Sequence, residues 1–203
     1  MSCADTVGII KDSVLTVGAV VGIIVAILGL STWRRQLKGS SEYDLARRLL
    51  KATYQFRGAI QNVRAIGMMD GEIQTALERH GPKDRLPQGK DASRAVYARR
   101  WERVCEAREN LDPEALEAEV IWGKEVRDLL APILGCSVDL WMAMHLFLSD
   151  KEDNESESEL KRRDEARKMM YIGGDEARDP LTHKLNKAVD QIESFARPYL
   201  AKK

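Results

Sequence analysis

Cysteine and histidine are scarce, three of each in 203 residues. Cys3, Cys105 and Cys136 stand at separations that match no zinc-site pattern, and so few thiols cannot build a disulfide framework. None of His80, His145 and His183 has a glutamate three residues before it, so the paired Glu-x-x-His of di-metal helical bundles is missing. Asp179 and His183 are four apart, but one carboxylate and one imidazole are too few donors for a metal, and Asp179 already reads as a helix cap. Net charge is also lacking: 32 basic residues balance 32 acidic ones, which removes any general electrostatic pull toward nucleic acid. No lysine-bearing Gly-rich phosphate loop, HExxH or GxSxG occurs. These absences leave no catalytic residue, no cofactor-binding residue and no metal ligand to assign. No segment alternates with β-branched enrichment, so no sheet is expected.

What the chain does have is a run of 21 residues without a charge, Ser13 to Trp33, followed at once by Arg34-Arg35. As a helix this run spans about 31 Å at roughly 1.5 Å per residue, matching a hydrocarbon core of roughly 30 Å. Val and Ile form helices poorly in water, but in lipid the backbone must satisfy its own hydrogen bonds. Trp33 falls where an indole settles at headgroup level. A cleaved signal peptide fits less well, because the start is not basic and Trp-Arg-Arg replaces a small-residue cleavage site. Basic residues set the direction: Lys11 alone precedes the run, whereas Arg34, Arg35, Lys38, Arg47, Arg48 and Lys51 follow it. The expected order is a short outside tail (1–12), a transmembrane helix (13–33), a basic juxtamembrane linker (34–41) and a cytoplasmic domain (42–203) at the inner membrane. Within the span, Gly18, Gly22 and Ala26 recur every fourth residue and form a candidate packing face for a second helix. Trp33, Arg34, Arg35 and Lys38 are the candidate interfacial and orienting residues.

The remainder reads as an all-α, multi-helix bundle. A first block from about Glu42 to Ile66 opens at Ser40-Ser41, with Ala46, Leu49, Thr53, Phe56, Ile60 and Val63 as its apolar stripe. A short helix over Glu72–Glu78 and a loop near 80–91 follow. The next helix, Ala92–Leu111, is capped by Asp91 and carries Tyr97, Trp101, Val104 and Cys105. Asp112-Pro113-Glu114 predicts a fresh helix start: a capping side chain, a proline at the first position, then an acid near the positive end. The helix it opens carries Leu116, Val120, Val126, Leu129 and Leu130 as its apolar residues. Pro132 and Gly135 are expected to break that helix and set off Val138–Leu148 as a separate core helix containing His145, with a re-entrant or peripheral membrane element as the lesser alternative. An acidic loop is expected near 149–159, then a helix over Leu160–Ile172 and a last one from Asp179-Pro180 to near Pro198. Trp101, Trp122 and Trp141 read as bundle anchors, and Glu102 and Glu106 as surface ion-pair partners of the neighbouring arginines.

Charge along the chain is uneven. Arginine and lysine dominate Arg34–Arg64, and acids dominate Asp112–Asp150, so these segments either face each other or the first lies near anionic lipid. The expectation is a single-pass, membrane-anchored module that binds another protein or itself, with the bilayer as a partner, nucleic acid not expected as one, and no cofactor. Two other readings are a membrane-perturbing effector acting through oligomerised spans and a tethered enzyme of unfamiliar type.

Overall fold

A computed structural model describes residues 3–84, 86–87, 89–149, 156–173 and 178–201; between residues 3 and 36 it describes side chains only at 22–23, 25–30, 33–34 and 36. Met1, Ser2, the surroundings of Gly18, the Arg35 side chain and most of the acidic 149–159 segment (150–155) therefore lie outside the described residues. Among those described, no strand occurs and six helices do: α1 (Cys3–Val63), α2 (Asp70–His80), α3 (Asp91–Trp122), α4 (Glu125–Leu148), α5 (Glu157–Met170) and α6 (Pro180–Ala201).

The core follows from the apolar stripes. Ala46, Leu49, Thr53, Phe56, Ile60 and Val63 on α1 are all completely buried, so the three- and four-residue steps do mark an inward face. Facing them are Tyr97, Val104, Ala107, Leu111 and Ala118 of α3, and Leu181, Leu185, Val189 and Ile192 of α6. From α4 come Val126, Leu130, Ile133, Cys136, Leu140 and Met144. Helix α1 packs on α3 and α6, which both pack on α4, while α1 and α4 scarcely meet. The four therefore stand at the corners of a square, with α1 and α4 on one diagonal. Arg48 of α1 bonds Glu114 and Glu117 near the end of α3, so those two helices are antiparallel. Arg64 near the end of α1 meets Asp179 and Thr182 at the start of α6, so that pair is antiparallel as well. Helix α4 consequently runs in the direction of α1. Helices α2 and α5 close the end remote from the amino-terminal half of α1, packing on α3 and α4 respectively.

Several boundaries differ from the sequence reading. Ser40-Ser41 does not start a helix, because α1 is already helical from Cys3 and passes through 34–41 without a break. The helix arriving from upstream supplies the acceptors a cap would replace, and Lys38 reaches Glu42 (3.8 Å) across those serines. Asp112-Pro113 likewise starts nothing: α3 runs through it, and Asp112 pairs with Arg108 (3.0 Å) instead of capping. Helix α4 runs through Pro132 and Gly135, so Val138–Leu148 is its second half and not an independent element. Helix α6 passes Pro198 and ends at Ala201. One physical reason covers all three prolines. Each lacks the N–H that would reach the carbonyl four residues back, on Glu109, Asp128 and Ser194, and all three of those residues are exposed, so no unpaired carbonyl has to be buried. The actual break falls at Gly123, whose φ of 92° and ψ of −178° suit glycine alone.

The amino end of α5 also differs. Ser156 caps it in a reciprocal capping box with Glu159, so 157–159 are helix and not loop. His145 is exposed and donates from Nδ1 to the Trp141 carbonyl (2.9 Å), which corrects its placement in the core. Trp141 is 43% exposed and anchors nothing, whereas Trp101 and Trp122 do pack against the core. Among the described residues one helix, α4, is long and apolar enough to cross a membrane by length and composition.

Candidate functional site

The sequence singled out the amino-terminal half of α1, and its described side chains have an unusual setting. Ile23, Val25, Ile27, Leu30 and Trp33 are each between 48% and 63% exposed. None of the described side chains from 22 to 38 is buried, although the run up to Trp33 is apolar around its whole circumference. An ordinary surface helix keeps its apolar residues on one inward stripe. This one shows them on every side, then enters the core of the bundle at Leu45. Gly22 has open space where a Cβ would stand, and Ala26 one turn on is exposed, so that side of the helix is free for close approach. Arg34 is exposed, and Lys38 pairs with Glu42 as described.

Two buried arginines escaped the sequence reading, and both serve the fold. Arg64 is 1% exposed. Its Nε donates to the Met169 carbonyl (2.6 Å), Nη1 to Thr182 Oγ1 (2.6 Å), and Nη2 to the Tyr171 carbonyl and Asp179 Oδ1. One guanidinium thus satisfies carbonyls at the end of α5 and joins the ends of α1 and α5 to the start of α6. Asp179 completes the joint by accepting from the N–H groups of Thr182 and Gly173, both at 3.0 Å. Burial pushes the Asp179 carboxyl up, but the Gly173 N–H, the Arg64 guanidinium and the Thr182 donors outweigh it and hold the group at about 2. A carboxylate held that low is ionised throughout the neutral range and cannot exchange protons there as a general acid or base.

Arg100 is the second node. It forks onto Glu72 with both contacts at 2.8 Å and donates to the carbonyls of Ala65 (2.7 Å) and Gly67 (2.5 Å), just beyond the end of α1. The hydrogen bond from Arg100 draws the Glu72 carboxyl below its ordinary range. A signal for both nodes existed in the sequence. Arg64 follows Val63 at the end of one apolar stripe, and Arg100 sits between Tyr97 and Val104 on another, where a charge is unexpected without a partner.

The surface ion pairing expected at Glu102 is present with a different partner, Arg79 Nε at 3.3 Å. The basic and acidic segments do face each other where Arg48 meets Glu114 (2.8 Å) and Glu117. Asp179 is occupied by Arg64, and among the described residues no group of three or more His, Cys, Asp or Glu is placed to hold a metal.

Two grooves remain. One of about 550 Å³ lies between α1 and α6, with Leu50, Tyr54 and Leu200 as walls and Arg47, Lys51 and Arg197 at its rim. The other, about 320 Å³, lies between α3 and α4 over the fully buried Phe56, bordered by Trp101, Cys105, Val138 and Trp141. Neither lining pairs a nucleophile with a base in the geometry covalent catalysis needs. No protein-family model, no curated protein and no solved structure matches this chain.

Proposed function

We propose that this chain is a membrane-anchored protein-interaction module, with residues 13–33 crossing the bilayer once and the helical bundle on the cytoplasmic side. The observation that carries the reading is the apolar, all-round exposure of α1 between Gly22 and Trp33. In water, each such side chain left uncovered forgoes roughly 1.5–3 kcal/mol, and lipid covers a helix from all directions. Leu45 is the first buried residue among those described. Between Trp33 and Leu45 the chain forms a helical stalk of roughly 18 Å at 1.5 Å per residue. The bundle is therefore held off the bilayer on a rod continuous with its own core, confined to two dimensions and to one orientation. Confinement raises the effective concentration for partners on the same surface without any new contact.

The direction rests on Arg34, Arg35, Lys38, Arg47, Arg48 and Lys51 after the run against Lys11 before it. Protease added to intact cells should leave a carboxyl-terminal tag untouched and should remove it once the membrane is opened. Removal from intact cells would reverse the orientation. A membrane-perturbing role has less support, because Gly22–Leu30 offers no polar side chain to line a pore.

A further inference from the structure

We propose that the outer face of α4 is the docking surface for a second copy of this chain, forming a parallel, side-by-side dimer on the membrane. The proposal deepens the reading above and takes from it the shared orientation of the two copies.

The face is centred on Ala131, Gly135, Val138, Trp141, Met142 and His145, all exposed or half-exposed. Val138, Trp141 and Met142 are each 43% to 54% exposed, a large apolar area for a soluble surface. About a third of the whole chain is charged, 32% of its residues, yet between Leu129 and Leu148 the only Asp, Glu, Lys or Arg is Asp139. Asp139 points sideways to Lys184 of α6 (2.6 Å). From Ala131 to His145, roughly 21 Å of helix at 1.5 Å per residue, this face is thus free of fixed charge.

Three occupants are conceivable, and the geometry separates them. The bilayer that holds α1 does not fit, because α4 runs in the direction of α1 and stands along the membrane normal, so it cannot lay its length on that surface. A charged partner gains nothing from a neutral face. A second copy fits on both counts. A face apposed to itself must avoid like charges, which this one does and the outer side of α1, with Arg47 and Lys51, does not. Copies anchored in one membrane present their α4 helices upright and parallel, so they meet by sideways approach about a two-fold axis. Ala131 and Gly135, one turn apart, lower the surface where the helices cross, and Gly135 has open space where a Cβ would stand. Beside Val138 and Trp141 lies the groove floored by Phe56, about 320 Å³, which can receive Met142 from the other copy; its α3 wall carries Arg108 and Glu109, two charges of opposite sign. Because α4 lies diagonally across from α1, such a dimer keeps the two α1 helices on opposite outer sides and does not bring Gly22 of one copy to Gly22 of the other.

Disulfide trapping of the full-length chain in its own membranes tests this. Cys3 and Cys105 are changed to Ser, buried Cys136 is kept, and one cysteine is placed at a time: Val138→Cys and Met142→Cys on the face, Asn186→Cys on the exposed side of α6, Gly22→Cys on α1. Mild oxidation should give a disulfide-linked dimer at 138 and 142, exceeding that at 186 and 22 by roughly tenfold through the higher effective concentration. Adding Val138→Glu to Met142→Cys should abolish the dimer with helical content unchanged. Equal or greater dimer at 22 or 186, monomer at every position, or a product with a different protein would each overturn the proposal. So would a dimer that survives Val138→Glu, or lipid-dependent shielding of the thiol introduced by Met142→Cys from a water-soluble maleimide. An alkaline wash of the same membranes reads the anchor independently: chain released by the wash refutes the anchor, whatever the disulfide pattern says of the dimer.

Discussion

Arg64 and Asp179 show how a charge is kept inside an apolar bundle: four donor contacts from one guanidinium, and a carboxylate that accepts two backbone N–H groups as well. Asp179→Asn leaves the arginine charge buried without its counter-charge and should cost about 3–5 kcal/mol. Urea unfolding of the detergent-solubilised chain measures that loss. The depressed carboxyl also sets a pH window. Its ordinary value is 3.8 and its folded value about 2, so its contribution is complete above the ordinary value and disappears as pH falls through the folded one. The wild type should therefore lose about 2 kcal/mol more than Asp179→Asn between roughly pH 5 and pH 2. Equal losses would show that the carboxylate is not held as described. Arg64→Lys should also destabilise, because a single ammonium cannot reach acceptors on α5 and α6 together.

Among the elements, periodicity marks the inward faces of α1 and α6 but fails at Leu116 and Val120 of α3, which are exposed, and punctuation is less dependable still. The stripes from Ala46 to Val63 and from Leu181 to Ile192 are buried as their spacing implies. Asp112-Pro113 and Asp179-Pro180 look alike in sequence, yet only the second starts a helix. The difference is tertiary. Residues on both sides of Pro113 are pinned to α1 by Leu111, Ala118 and the Arg48 contacts, whereas a break precedes Asp179 and its carboxylate is free to cap. Nor could local sequence reveal that Arg64 and Arg100 would find partners 115 and 28 residues away. Two substitutions probe the element ends. Gly123→Ala forces a side chain onto a backbone at φ 92° and should cost about 1–3 kcal/mol in thermal unfolding. Gly58→Ala, in mid-helix with open space around it, should instead stabilise by about 0.5–1 kcal/mol. Pro113→Ala restores the bond to the Glu109 carbonyl and should raise stability; a fall would mean the proline's geometry itself is needed for packing on α1.

For the molecule as a whole, the proposed anchor in α1 has a rival in α4. Helix α4 has the length and composition, but Val126, Leu130, Ile133, Cys136, Leu140, Ala143 and Met144 are buried in the bundle, and extracting them into lipid would dismantle the core. The described apolar side chains of α1 from Ile23 to Trp33 have no place in that core. Deleting residues 1–33 and comparing the truncated chain with the full chain after an alkaline membrane wash separates the two. The full chain should stay with the membrane, and the truncated chain should be released, soluble and still helical by circular dichroism. Retention of the truncated chain in the washed membrane, or release of the full chain, would contradict anchoring through α1.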